Sequence, residues 1–372
     1  MTQVCQLFDA AAGWEERVAS GQLLERLPRD RFDCRLAALD PRPMCWLREF
    51  RREVTLFPRL GAAVLAGPLV RRFVVRRGID VVHAWGLRAA LAAGAAGKTP
   101  VAVELFDPRL SSWDLKVLRT LARSACFAVV CSCQIVHRRL IEGGIRADAC
   151  VLIRPGVDFA VINQARRGPL RGELGLSPAD FVVITPPGGA ADGECLEAAL
   201  AAKLVDYLAP PVRIIVPGAR RSDRRARRFA GSLPGDPILV HAGRQVPFEE
   251  LLAISDALVV ATRGDTPSTA IAWAMAAGTA VVAGAVHSVA ELIANKLNGL
   301  LYKPQTDRTA AVPVARLLQD RDAQRQSRET ARGQAYEVFG LRRFVDQHAR
   351  LYANLFEGEP PGDGIVDPAT MV

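Results

Sequence analysis

The sequence predicts an α/β protein of two domains. Short apolar, β-rich runs alternate with longer alanine- and leucine-rich stretches from end to end, the pattern of parallel sheets covered by helices. That rhythm breaks once, where glycine, proline and charge crowd Gly156 to Arg171, and it resumes at Phe181-Val182-Val183-Ile184. A chain of 372 residues, 50% of them hydrophobic, suits two cores of ordinary size better than one. The expected division is a first domain over 1–165, a second over 166–340, a terminal helix over 341–356 and a loose tail over 357–372.

In the first half the β-rich runs predict strands at Gln3–Phe8, Cys34–Leu39, Val81–Ala84, Val101–Leu105, Ala128–Cys131 and Cys150–Ile153, with helices between them. In the second half, strands follow at Phe181–Ile184, Arg213–Val216, Ile238–Val240, Ala257–Val260 and Ala280–Ala283, each ending near glycine, proline or small polar residues. Leu341 to Phe356 predicts a helix, and the three prolines between Glu357 and Val372 predict a loose end. Open parallel sheets bind ligands at the carboxyl ends of their strands. The loops Pro186 to Gly193, Pro217 to Arg221 and Ala261 to Ser268 are therefore the places to look for chemistry.

Composition excludes several classes. No apolar stretch approaches the ~20 residues of a membrane span; Leu60 to Val70 contains Pro68 and is closed by Arg59 and Arg71. The first residues lack a basic region followed by an apolar signal core, so a cytoplasmic protein is expected. Eight cysteines without disulfide-framework spacing are expected to be reduced and buried. Cys131, Cys133 and His137 lack a second ligand pair, so a strand running into a helix is expected there and no metal. The net charge of +9 suggests acidic partners, but aromatics are only 6% and are not interleaved with the basic runs, which speaks against nucleic acid. Arg224, Arg225, Arg227 and Arg228 read as a solvated helix face.

Three segments carry a family resemblance: Asp80-Val81-Val82-His83-Ala84-Trp85-Gly86, then Val151-Leu152-Ile153-Arg154-Pro155-Gly156-Val157-Asp158, then Ala274-Met275-Ala276-Ala277-Gly278-Thr279-Ala280-Val281-Val282-Ala283. In this order and spacing the chain resembles the retaining glycosyltransferases of family four, from about Val4 to Phe356. The resemblance implies the GT-B fold, two Rossmann-like domains facing across a cleft, with a nucleotide-sugar donor on the C-terminal domain and no metal cofactor. The family's two donor-site glutamates, eight positions apart, fall on Asp265 and Trp273. Asp265 keeps the charge and is expected to position the sugar; the alternative is an N-terminal helix cap. Trp273 has one donor and no acceptor, so it either stacks on the ligand or packs in the core. The amides at Ser268, Thr269 and Ala270 correspond to the helix start that cradles the donor diphosphate.

The same resemblance exposes departures. The family's arginine and lysine, five residues apart after the first strand of the C-terminal domain, fall on Pro187 and Asp192. Without those cations the departing diphosphate loses stabilisation. Arg220, Arg221, Arg244 and Arg263 are the candidate replacements, arginine being well suited to phosphate. Glu291 resembles a glutamate just after the donor loop, or else begins a helix. On the N-terminal side, Gly13 occupies a glycine position facing the cleft, His83 a histidine position expected to line it, and Asp107 follows Phe106 where the family often has histidine before aspartate. Asp320-Arg321-Asp322 mimics the metal motif of another glycosyltransferase fold but lies beside a leucine-rich helix and is set aside. Arg48, Arg51, Arg52 and Arg59, with Arg71, Arg72, Arg76 and Arg77, flank apolar stretches that could rest on an anionic membrane or form ordinary amphipathic helices.

The expectation is a hexosyltransferase acting from a nucleoside-diphosphate sugar on a hydroxyl acceptor, a glycan or a lipid-linked one, with retention and without metal. The alternative is a member with a degenerate donor site that serves as a binding or scaffolding partner.

Overall fold

A computed structural model describes residues 1–9, 13–40, 53–58, 63–95, 97–106, 109–124, 126–165, 168–187, 192–206, 211–218, 228, 239–243, 246–262, 264–265, 268–304 and 310–367, without the side chains of 192–196 and 241. The chain forms two compact units, Met1–Gly156 with Leu341–Val372, and Val157–Gly340.

Unit 1 runs β1 (Thr2–Phe8), α1 (Trp14–Arg26), β2 (Phe32–Ala38), β3 (Val54–Leu56), α2 (Gly67–Arg77), β4 (Val81–Trp85), α3 (Leu87–Gly94), β5 (Val101–Leu105), α4 (Ser112–Leu121), β6 (Phe127–Cys131), α5 (Gln134–Glu142) and β7 (Cys150–Leu152). Unit 2 continues with α6 (Phe159–Gln164), α7 (Pro169–Glu173), β8 (Phe181–Ile184), α8 (Asp192–Asp206), β9 (Val212–Pro217), β10 (Leu239–Ala242), α9 (Phe248–Ala253), β11 (Ala257–Val260), α10 (Thr269–Ala277), β12 (Ala280–Gly284), α11 (His287–Ala290), β13 (Leu300–Tyr302), α12 (Ala311–Gln319) and α13 (Arg321–Phe339). The last helix, α14 (Leu341–Glu357), returns to unit 1.

Both sheets are parallel throughout, in the orders β3-β2-β1-β4-β5-β6-β7 and β10-β9-β8-β11-β12-β13. Order reverses between β1 and β4 in the first sheet and between β8 and β11 in the second, the two Rossmann-type switch points. The central strands β4, β5, β6, β11 and β12 are buried at every position, which is why they read as apolar runs, interrupted at His83 in β4 and Glu104 in β5. The three-residue strands β3 and β13 lie at sheet edges and escape sequence reading, being too short to show a period.

One face of the first sheet carries Val70, Ala89, Leu118 and Val136 from its crossover helices. The opposite face is closed by α1 and by Phe344, Leu351, Tyr352 and Leu355 of α14. The helix expected to stand alone at 341–356 is therefore core to unit 1. The first unit also ends nine residues before the expected 165, because Asp158 caps α6 by accepting from the amides of Ala160 and Val161 (3.0 and 3.3 Å), and residues 157–165 group with unit 2.

The tail expected to be loose is docked through Asp367. That carboxylate, 8% exposed, meets the buried Arg154 in two bonds of 3.1 and 2.9 Å, and the Val366 carbonyl accepts from Gln347 at 2.7 Å. A fully enclosed guanidinium needs an anion beside it, and the tail supplies one.

Candidate functional site

Unit 2 is built around its switch point. Strand β11 enters the loop Ala261 to Ser268, where the Thr262 hydroxyl donates to the Gly264 carbonyl (2.6 Å) and accepts from its amide (3.3 Å). Asp265 Oδ1 then accepts from the Ser288 amide at 2.9 Å. The expected cap thus exists, but on α11, the helix after the next strand, and it ties the two loops together. Gly284 brings β12 against the same loop: a Cβ there would stand 2.4 Å from the Thr262 carbonyl oxygen.

Ser268 is the N-cap of α10, yet its side chain makes no capping bond. The Ser268 and Thr269 hydroxyls are buried, at 1% and 2% residue exposure, and neither oxygen has a hydrogen-bond partner among the described residues. Helix α10 is enclosed, every residue from Thr269 to Ala276 being buried, so its first amides and its positive dipole end converge on a low-dielectric position. Such a position suits an anion. Trp273 is four residues on, on the same face as Thr269, and 6% exposed; it packs inside unit 2, the core alternative. Glu291 ends α11 as its C-cap and does not begin a helix. Around this centre lie Pro187 after β8 and Gly218, in the left-handed region at φ 93°, after β9. Arg220, Arg221, Arg244, Arg263 and Asp107 lie outside the described residues.

In unit 1, Gly13 is the extended N-cap of α1 (φ −68°, ψ −174°), and Asp9, just after β1, pairs with Arg88 in the first turn of α3 at 3.3 Å. A Cβ on Gly13 would meet only the Glu16 and Glu15 carboxylate ends, so the fold itself does not demand glycine there. His83 corrects the expectation of a cleft-lining residue: it is 0% exposed in the core of unit 1.

His83 belongs to a polar network that the sequence reading missed. Trp85 Nε1 donates to Gln6 Oε1 (2.7 Å), Gln6 Nε2 to Tyr352 Oη (3.3 Å), and Tyr352 Oη lies 2.6 Å from His83 Nδ1. His83 Nε2 and His348 Nε2 stand 3.4 and 3.2 Å from Glu104 Oε2. His348 Nδ1 is 2.9 Å from the Phe344 carbonyl. An indole only donates, which fixes the Gln6 amide; its NH2 then donates to the tyrosine oxygen, whose own hydrogen has, among the described residues, no acceptor other than His83 Nδ1. His83 therefore carries its hydrogen on Nε2, aimed at Glu104. His348 must carry hydrogen on Nδ1, because a carbonyl only accepts, so the gap between His348 Nε2 and Glu104 needs one proton.

Burial lowers the His83 pKa, against the opposing pull of Glu104. For Glu104, burial pushes up, but hydrogen bonds from His348 and His83 and their charge outweigh it and hold the carboxyl at about 2. The ligand atoms of His83, Glu104 and His348 lie within 4.8 Å of one another, close enough for a metal ion. The hydrogen directions argue against that use: a metal would need the His83 Nε2 position, leaving the Tyr352 hydrogen without an acceptor. The available signal in the sequence was Glu104 itself, a charge inside the apolar run Val101-Ala102-Val103-Glu104-Leu105.

The remaining sequence candidates resolve simply. Asp320 caps α13 through the Ala323 amide (3.0 Å) and Asp322 pairs with Arg325, so Asp320-Arg321-Asp322 serves a helix start. Cys131 and Cys133 are buried thiols outside any disulfide, and His137 Nε2 lies 3.3 Å from the Cys150 carbonyl. No helix among the described residues is long and apolar enough to cross a membrane.

Two Rossmann-like parallel sheets, the second with an anion-suited helix start at its switch point, define a protein of the GT-B class. Models of two families match, one to each unit: Glycosyltransferase Family 4 over residues 20–161, and Glycosyl transferases group 1 over residues 195–320. Among solved structures, Anabaena HepE, in complex with UDP and glucose, superposes with a TM-score of 0.80 at 20% identity over 95% of this chain and 100% of its own. Sucrose-phosphate synthase from Thermosynechococcus elongatus gives 0.74 at 16% identity over 96% and 100%. A curated relative, N-acetyl-alpha-D-glucosaminyl L-malate synthase of Bacillus anthracis, is 27% identical over 120 residues, a match spanning 32% of this chain and 32% of that enzyme's length. The chain is a family 4, group 1 glycosyltransferase of the GT-B fold, an enzyme that transfers a sugar from a nucleoside-diphosphate sugar.

Proposed function

We propose that this glycosyltransferase moves a hexose to a hydroxyl of a glycan or lipid-linked acceptor, with retention and without metal. The observation that carries the donor assignment is the start of α10, where two buried hydroxyls without partners join the first helix amides. The departing diphosphate gathers charge in the transition state, and fixed donors in a dry position stabilise it without reorganising. Asp265, held by the Ser288 amide, places a carboxylate for the hydroxyls of the transferred sugar. Glu291, at the other end of α11, is a second acceptor for donor hydroxyls. Arg220, Arg221, Arg244 and Arg263 supply the positive charge that Pro187 and Asp192 do not, and Gly13 allows the acceptor close to the backbone.

A peripheral contact with anionic membrane is part of this proposal. Val64, Leu65, Leu69 and Val75 are exposed at 50%, 61%, 37% and 73%, and Arg71, Arg72, Arg76 and Arg77 are exposed around them. Apolar side chains ringed by arginine suit a headgroup interface.

The deciding experiment is calorimetric titration with UDP-, GDP- and ADP-sugars without added metal, UDP-sugars first because HepE was solved with UDP. One donor should bind at micromolar concentration, and Asp265→Ala or the pair S268A/T269V should weaken it about tenfold or more, the loss of one charge-assisted hydrogen bond or more. No binding of any donor up to millimolar concentration would overturn the donor assignment and leave the degenerate-site alternative.

A further inference from the structure

Helix α13 carries arginines at 321, 325, 328 and 332, spaced four, three and four, so all stand on one face. That arrangement works against the helix. Like charges at these spacings repel, and Arg321 and Arg325 sit in the first turn or so, at the positive end of the dipole. Among the described residues, the one bond of Arg325 to a side chain is its exposed pair with Asp322, Glu329 is the single acid lining the hollow, and the Asp256 carboxylate stands 4.0 Å from Arg328, which leaves positive charge in excess.

This face lines a hollow of about 430 Å³ against Ala277 and Gly278 at the end of α10, a volume in the range of small-ligand sites. The end of α10 does not call for the arginines as caps. Gly278, left-handed at φ 68°, and Thr279 already close its last carbonyls through their amides. Gln324 also lines the hollow, is only 4% exposed, and its Nε2 has no hydrogen-bond partner among the described residues. The Arg328 Nε is likewise without one, although another nitrogen of that guanidinium donates to the Asp256 carbonyl. Burial also lowers the Arg328 pKa, against the pull of Asp256. Buried donors without acceptors beside a face with positive charge in excess mark a position prepared for an acceptor-rich anion.

We infer that this hollow is a second anion site, for a phosphate-bearing ligand. It lies at the opposite end of α10 from Ser268, about 13 Å along the helix, and so does not share the donor's position. Phosphate groups fit because planar guanidinium forks bind their oxygens in pairs. The phosphate could belong to a free small molecule or to a lipid headgroup.

Titration of the full chain with inorganic pyrophosphate, and separately with phosphatidylglycerol vesicles, tests the site in wild type, R321A/R325A and Gln324→Met. Arg321 and Arg325 are exposed and hold no other element in place, so the double variant should keep the wild-type melting temperature. The expected result is pyrophosphate binding that weakens at least tenfold in R321A/R325A and weakens in Gln324→Met. A loss confined to vesicle binding would support the headgroup source. Equal affinity of wild type and R321A/R325A for both probes, or no binding of either, would overturn the site. UDP-sugar binding should be the same in wild type and R321A/R325A, so failure of the donor assignment and failure of this one are read separately.

Discussion

Glu104 is a carboxylate with no water around it, and its two histidine neighbours make it tolerable. Exposed to 1%, it takes hydrogen from His83 on one side and shares a proton with His348 on the other. Removing one partner of such a group leaves buried charge or buried donors uncompensated, which is far costlier than never having had the pair. Glu104→Gln keeps the shape and removes the charge. It should destabilise the protein by about 3–5 kcal/mol in urea denaturation. A change below about 1 kcal/mol would show that the carboxylate does not hold the network together.

At the scale of elements, α14 is where chain order and packing part company. It follows unit 2 in sequence but delivers His348, Tyr352 and four large apolar side chains to unit 1. A fragment of 157–340 should therefore fold alone, whereas 1–156 should not fold cooperatively unless 341–372 is added, as circular dichroism melts of the three would reveal. Cooperative melting of 1–156 by itself would mean that α14 only decorates that core. Helix α2 and the turn before it make a different prediction. Leu65→Glu with Val75→Glu should abolish co-sedimentation with phosphatidylglycerol vesicles while leaving the fold intact, since both side chains are exposed. Unchanged co-sedimentation would remove this face as the membrane contact.

For the whole molecule, the buried network sets the direction of its pH dependence. The unfolded chain takes up a proton on His83 near its ordinary value of 6.5, while the native pKa is lower. The unfolded state therefore binds more protons, and stability falls as pH drops below about 6.5. Glu104 adds a second loss between its ordinary 4.5 and about 2. Urea midpoints should decline from pH 7 to pH 4, where His83 takes up its proton, and again from about pH 4.5 toward pH 2; Glu104→Gln should keep the first decline and lose the second. A flat profile from pH 7 to pH 4 would contradict the His83 assignment, and an unchanged lower decline in Glu104→Gln the Glu104 assignment.

The strands were legible because parallel sheets buried on both faces need apolar runs, and Ala128–Cys131 and Ala257–Val260 show them plainly. The loop before α10 was legible as a candidate site through Asp265 and the small polar residues that follow it. What failed to show was anything requiring distance in sequence. The partner of Asp265 lies 23 residues on, that of Arg154 lies 213 on, and that of Glu104 in α14 lies 244 on. For the same reason His83 read as a cleft residue: a histidine late in the predicted strand Val81–Ala84 looks alike whether it meets ligand or Tyr352.

By itself, the sequence determined the α/β class, the division into two Rossmann-like halves and the family, since periodicity and ordered motifs are local properties of the chain. Only the tertiary structure decided which polar groups are satisfied and which are left waiting. It gave His83 and Glu104 to the core, tied Asp265 to Ser288, docked the tail on Arg154, and left the hydroxyls of Ser268 and Thr269 and the Nε2 of Gln324 without partners among the described residues. Burial and partnership are made by residues far apart in the chain, so no local pattern can encode them.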